Sequence, residues 1–103
     1  MANSYEIPLS PTPQRFRISL NGVYYWFTLV WNGSSNIWMI DIADAQQNKM
    51  ISSIPLVANT NLLEQYEYLG IGGALYAVTD NDLNSPPTKS NLGNNGHLYF
   101  IVK

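Results

Sequence analysis

Two runs in which apolar and polar positions alternate, residues 16–20 and 23–31, flank the dipeptide Asn21-Gly22. Period-two alternation is the mark of a half-buried strand. Asn-Gly between two such runs is the preferred two-residue hairpin turn, because both central positions need positive φ. A turn of that length sets Leu20 opposite Val23, Ile18 opposite Tyr25 and Phe16 opposite Phe27. All six are apolar or aromatic, so the pattern and the turn agree on one core-facing side. Arg15, Arg17 and Ser19 then share the other side with Tyr24, Trp26 and Thr28.

The polar stretch 32–36 reads as a loop. Residues 37–43 follow as a third strand, with Trp38, Ile40 and Ile42 on one face and Asp41 on the other. A polar connection, 44–49, leads to a fourth strand over 50–57, where Pro55 marks an edge, a bulge or the strand's end. These consecutive antiparallel connections predict a β-meander. Residues 59–66 then offer Asn or Thr as a helix cap and predict one or two helical turns ending before Gly70, with Leu62, Leu63 and Tyr66 packing inward. Gly70, Gly72 and Gly73 break the chain before a fifth strand, 74–79. The terminal strand, 98–102, is too apolar to lie fully exposed and is expected near a sheet centre or against the fifth strand. Pro8, Pro11 and Pro13 make residues 1–14 an extended arm rather than a helix. Residues 80–96, with Pro86-Pro87, form a long polar loop, functional or mobile in so small a domain. The expected architecture is all-β: one domain over 1–103, a small antiparallel barrel or sandwich of about six or seven strands with one short helical turn.

Composition sharpens this picture. Only 12% of residues are charged, against about 25% in ordinary soluble domains. The outer surface must then consist of neutral polar residues and exposed aromatics. Such a surface loses little to desolvation on meeting another protein. The net charge of −2, with five basic residues that do not cluster beyond Arg15 and Arg17, argues against binding nucleic acid. Without cysteine there is neither a disulfide framework nor a thiolate metal site. No apolar run approaches the roughly 20 residues of a membrane span, and residues 1–10 lack the features of a secretory signal. The expectation is synthesis in a cytoplasm and no membrane partner.

Candidate chemistry is thin. His97 is the single histidine, with no carboxylate beside it in sequence, and one histidine does not make a zinc constellation. Asp80-Asn81-Asp82 resembles the start of a calcium loop, but Ser85 and Asn91 stand where the glycine and the glutamate belong. The glycines at 70, 72 and 73 lead into a strand, not into the helix a phosphate loop opens, and no Gly-x-Ser-x-Gly occurs. The expectation is a protein with no cofactor, no metal and no catalytic residue. Tyr24, Tyr25, Trp26, Trp31 and Trp38 divide between core and interface, or form a platform for sugar rings.

Further blocks carry a resemblance. They run from Ser4-Tyr5-Glu6-Ile7-Pro8-Leu9 through Pro13-Gln14, Trp31-Asn32 and Ser53-Ile54-Pro55-Leu56-Val57 to Asn61-Leu62-Leu63 and Tyr68-Leu69-Gly70. Trp38 to Ala43-Asp44, Gln65-Tyr66, Gly73-Ala74-Leu75-Tyr76, Val78-Thr79-Asp80, Pro86-Pro87-Thr88 and Asn91-Leu92-Gly93 complete the set. In this order they resemble the baseplate plug family of contractile-tailed cyanophages. The resemblance implies a virion component at the distal end of the tail, in several symmetry-related copies, contacting hub and tail-tube proteins. Its contacts are expected from the arm and the 80–96 loop. The candidate interface residues are Tyr5, Ile7, Arg15, Arg17, Tyr24, Trp26, Pro86, Pro87 and Leu92. The alternative is a carbohydrate-binding β module for host attachment; a small hydrolase is the remaining reading, and the missing motifs count against it.

Overall fold

A computed structural model describes residues 4–58, 60–80 and 85–102. It contains two antiparallel sheets. One is a meander of β2 (Gln14–Leu20), β3 (Val23–Asn32), β4 (Ile37–Asp44) and β5 (Lys49–Pro55), in that spatial order. The other sets β7 (Gly96–Val102) between β1 (Ser4–Glu6) and β6 (Gly73–Thr79). The sheets pack as a sandwich rather than closing into a barrel, which decides between the two architectures the sequence left open.

The β2–β3 hairpin has the expected register, with Phe16 opposite Phe27, Ile18 opposite Tyr25 and Leu20 opposite Val23. Asn21 (φ 56°) and Gly22 (φ 83°) both occupy the left-handed region that the turn demands. Leu20, Tyr25 and Phe27 are buried and Phe16 and Ile18 partly so, whereas Val23, beside the turn, is 51% exposed. In β4, Trp38, Ile40 and Ile42 all face inward. On β5 three residues, 52–54, advance the chain from Ile51 to Ile54 while β4 advances two from Ile42 to Ile40. The resulting bulge puts Ser53 at φ 58°, and its N–H donates to the Asp41 carboxylate at 2.7 Å. Pro55 ends this edge strand.

The second sheet closes over the first. Leu75, Ala77, Leu98 and Phe100 turn inward and join Phe27, Leu29, Trp38, Ile40, Ile42 and Leu56 in one core. Between β5 and β6 the chain forms a 3₁₀ turn, Glu64–Leu69, ended by Gly70 in the left-handed conformation. Its cap position is Leu63, not Asn or Thr; Thr60 and Asn61 precede it, and Asn59 lies outside the described residues. The Asn61 side chain instead accepts from the Leu63 N–H at 2.9 Å and the Leu75 N–H at 3.2 Å, tying the turn to β6. Leu62 and Leu63 are buried and Tyr66 is partly so, as expected. No helix among the described residues is long and apolar enough to cross a membrane.

Two expectations need correction. The N-terminal segment, expected as an extended arm outside the strands, supplies one: β1 pairs with β7, and Ile7 donates its N–H to the Leu98 carbonyl at 2.8 Å. Burying Ile7, at 1% exposure, gives that pairing its driving force. The described part of the 80–96 loop is not structureless. Trp38 donates its indole N–H to the Thr88 carbonyl at 2.8 Å, and Asn91 accepts the Thr88 N–H through its side chain and the Gly96 N–H through its carbonyl. Leu92 is fully buried beneath this turn. Residues 81–84 of the loop, including Asp82, lie outside the described residues.

Candidate interaction surfaces

The sandwich has two outward faces, and each carries a charged and aromatic arrangement. On the meander, Arg17 stands opposite Trp26 in the register and Arg15 opposite Thr28. Each arginine nevertheless reaches the diagonal ring. The Arg15 guanidinium lies 5.1 Å from the Trp26 ring centre and that of Arg17 lies 4.5 Å from Tyr24. Diagonal neighbours on a twisted antiparallel pair are within reach of long side chains. A cation over a π-face at an exposed site gains about 0.5–1 kcal/mol. Stacking occupies one face of each guanidinium and leaves its N–H edges available; Arg15 uses one on the Gln47 side-chain oxygen. Among the described residues neither arginine has a carboxylate within salt-bridge distance.

The opposite face gathers groups from three distant parts of the chain. His97, at the start of β7, bonds through Nδ1 to Glu6 of β1 at 2.5 Å and through Nε2 to Asp80 at 3.1 Å. Asp80 follows β6 directly, and its own N–H donates to the Asn95 carbonyl at 2.7 Å. The histidine side chain is only 14% exposed, while the two carboxylates are 45% and 54% exposed. Hydrogen bonds to Asp80 and to Glu6 raise its pKa above the ordinary value, against a smaller opposing effect of burial. Tyr99, whose ring centre is 5.9 Å from the imidazole, is raised mainly by burial and further by the two carboxylates. The carboxylates engage opposite sides of the ring, so the three groups do not converge on one point. Next to the cluster Tyr76, Val78, Tyr99, Ile101 and Ser4 line an open concavity of about 420 Å³.

The structure brings together four of the candidate interface residues: Arg15, Arg17, Tyr24 and Trp26. Tyr5 is 55% exposed, on β1. Pro86 and Pro87 line an open groove of about 700 Å³ with Trp31, Asn36 and Lys89, where Pro86 is half-buried and Pro87 buried. Ile7 and Leu92 are corrections: both are core residues, because the segments that carry them fold back onto β7 and the 88–96 turn. Of the five aromatics weighed as a sugar platform, Tyr25 and Trp38 are core and Tyr24 and Trp26 lie beside stacked arginines. Trp31 is partly buried, edge-on to Trp38 at 5.5 Å between ring centres.

Sequence reading missed the Glu6–His97–Asp80 cluster. Glu6 and His97 are 91 positions apart, and only the β1–β7 pairing, with Glu6 opposite Tyr99, makes them neighbours. The available signal was weak: a histidine opening a terminal strand, and a carboxylate in an arm able to pair with it.

A family model described as "Cyanophage baseplate Pam3 plug gp18" matches residues 4–103. No curated protein matches the chain.

Proposed function

Given that the chain belongs to the cyanophage baseplate plug family and is thus a structural part of the virion tail, we propose that it plugs or fastens the hub and tube end through protein–protein contacts. The observation that carries this reading is the extent of the match, 4–103, which takes in both sheets and both outward faces. A family resemblance confined to one hairpin would speak only for a fold. This one covers every described strand of the fold.

The geometry fits a docking role. A charge-poor exterior with Tyr5, Tyr24 and Tyr68 between half and four-fifths exposed gains free energy when covered and gives up few hydrated charges. The reading includes a non-catalytic protein present in symmetry-related copies. Both ring nitrogens of His97 are hydrogen-bonded to carboxylates, an arrangement that ties β1 and the end of β6 to β7.

Immunogold labelling of purified tails tests the reading. Label at the distal tip, lost from particles assembled without this protein, is the expected result. Label on the sheath or capsid, or particles of unchanged composition without it, would contradict the proposal.

A further inference from the structure

The four sheet edges differ in how they are protected against pairing with another chain. The β6 edge is covered: Ala58 bridges Ala77, Leu62 donates its N–H to the Leu75 carbonyl at 2.8 Å, and the Asn61 side chain takes the Leu75 N–H. The β5 edge is broken by the bulge at Ser53 and ended by Pro55, with Lys49 at its start. Among the described residues the β1 edge offers only three, Ser4–Glu6. Bulges, proline, short length and cover are the usual ways of blunting an edge.

The β2 edge has none of them. It is seven residues long, Gln14–Leu20, with no bulge in its pairing to β3 and no proline within it. Among the described residues no backbone hydrogen bond leaves it on the outer side. Its single protection is charge, Arg15 and Arg17 on alternate positions of the exposed face. Both guanidinium groups are held over rings of β3, so their N–H edges are already oriented, and among the described residues neither has a carboxylate partner. The nearby carboxylates of β4 are engaged elsewhere, Asp41 by the Ser53 N–H and Asp44 by the Gln46 and Asn48 N–H groups.

Protection by like charge is selective. A second copy of β2 added antiparallel would bring arginines beside arginines, and like charges directly opposite destabilise a strand pair. A strand with carboxylates at alternate positions meets the opposite situation. We propose that the β2 edge is the docking site for an extended segment of a different protein, carrying acidic residues at alternate positions, which adds to the meander as a fifth strand. The main-chain ladder supplies affinity, and the pairing of acidic side chains with Arg15 and Arg17 supplies register and choice of partner. This proposal rests on the reading that the chain assembles with other tail proteins. Its test does not use the tail, so the two fail separately.

The test is an NMR titration of the ¹⁵N-labelled protein with two blocked hexapeptides, Thr-Glu-Val-Glu-Val-Thr and the same sequence with lysine for glutamate. Saturable shifts of the amides of Gln14–Leu20 are expected with the acidic peptide, at roughly tenfold higher affinity than with the basic one. The double variant Arg15→Glu, Arg17→Glu, shown to be folded by its unchanged β3–β4 resonances, should reverse that order. Equal affinity for the two peptides, shifts confined to other strands, or no saturable binding would overturn the proposal. So would broadening of the Gln14–Leu20 resonances with protein concentration alone, which would assign the edge to a second copy.

Discussion

The two sheets are assembled from opposite kinds of contact. The meander joins neighbours in sequence, β2 to β3 to β4 to β5, through connections of two to four residues. The three-stranded sheet joins the two ends of the chain: β1 pairs with β7, whose partner on the other side is β6. Local pairs close cheaply, whereas long-range ones must first overcome the entropy of closing a long loop. The meander's register is set locally, by its turns and by the apolar pattern of its strands. The second sheet needs ties between remote residues, and the Glu6–His97–Asp80 cluster is such a tie. Cover and cross-chain bonding thus concentrate where the sequence gives least local help.

The largest test of this contrast removes a ring from the long-range sheet. Phe100→Ala empties a fully buried position on the central strand β7. It should cost about 3–5 kcal/mol, read as a lower urea midpoint at unchanged slope. An effect below about 1 kcal/mol would mean that the second sheet contributes little to the common core.

The local sheet is tested at its turn. Gly22 has φ 83° and open space where a methyl group would sit, so Gly22→Ala meets backbone strain without a clash. The expected loss is about 1–2 kcal/mol in chemical denaturation, with the β2–β3 cross-strand contacts retained by NMR. A change of register would show that the turn, rather than the hydrophobic pattern, dictates the pairing.

The His97 tie sharpens the comparison through pH. The folded pKa is raised, so the stabilisation is fully present below the unfolded value of about 6.5 and is lost as pH rises through the folded one. Because Glu6 and Asp80 are about half exposed, the loss should stay at or below about 1 kcal/mol. Wild-type protein should therefore be slightly more stable at pH 6 than at pH 8.5, with lower protection factors, corrected for the intrinsic exchange rate at each pH, for the β1 amides at the higher pH. His97→Gln should flatten that difference. Greater stability at pH 8.5 in the wild type would contradict the tie.

The smallest effect belongs to the meander's outer face. Arg17→Ala removes a stacked but exposed cation and should cost about 0.5 kcal/mol in thermal unfolding. A loss several times larger would mean that the arginines hold the hairpin rather than remain available to a partner.

How much was legible in the sequence follows the same division. The hairpin register and the inward faces of β3 and β4 were readable, because each is set by spacing within a dozen residues; the fourth strand, expected over 50–57, ends at Pro55. The placement of Ile7 and Leu92 was not. Both looked like apolar residues in polar, proline-containing segments, and only the folding of those segments onto β7 and the 88–96 turn buries them. Val23 failed for the reverse reason, since alternation gives the face of a strand but not whether anything covers it. The arginine-and-aromatic face was visible, because Arg15, Arg17, Tyr24 and Trp26 share one side of a single hairpin. The histidine cluster needed a strand pairing between the chain ends, which no local pattern announces.

A reconstruction of the intact tail tip tests the central claim most directly. The prediction is density for a two-layered sandwich of about 31 × 30 × 22 Å at the hub and tube end, with its aromatic surfaces covered by other subunits. A tip in which that volume is absent, or in which the Tyr24–Trp26 face lies bare to solvent, would contradict it.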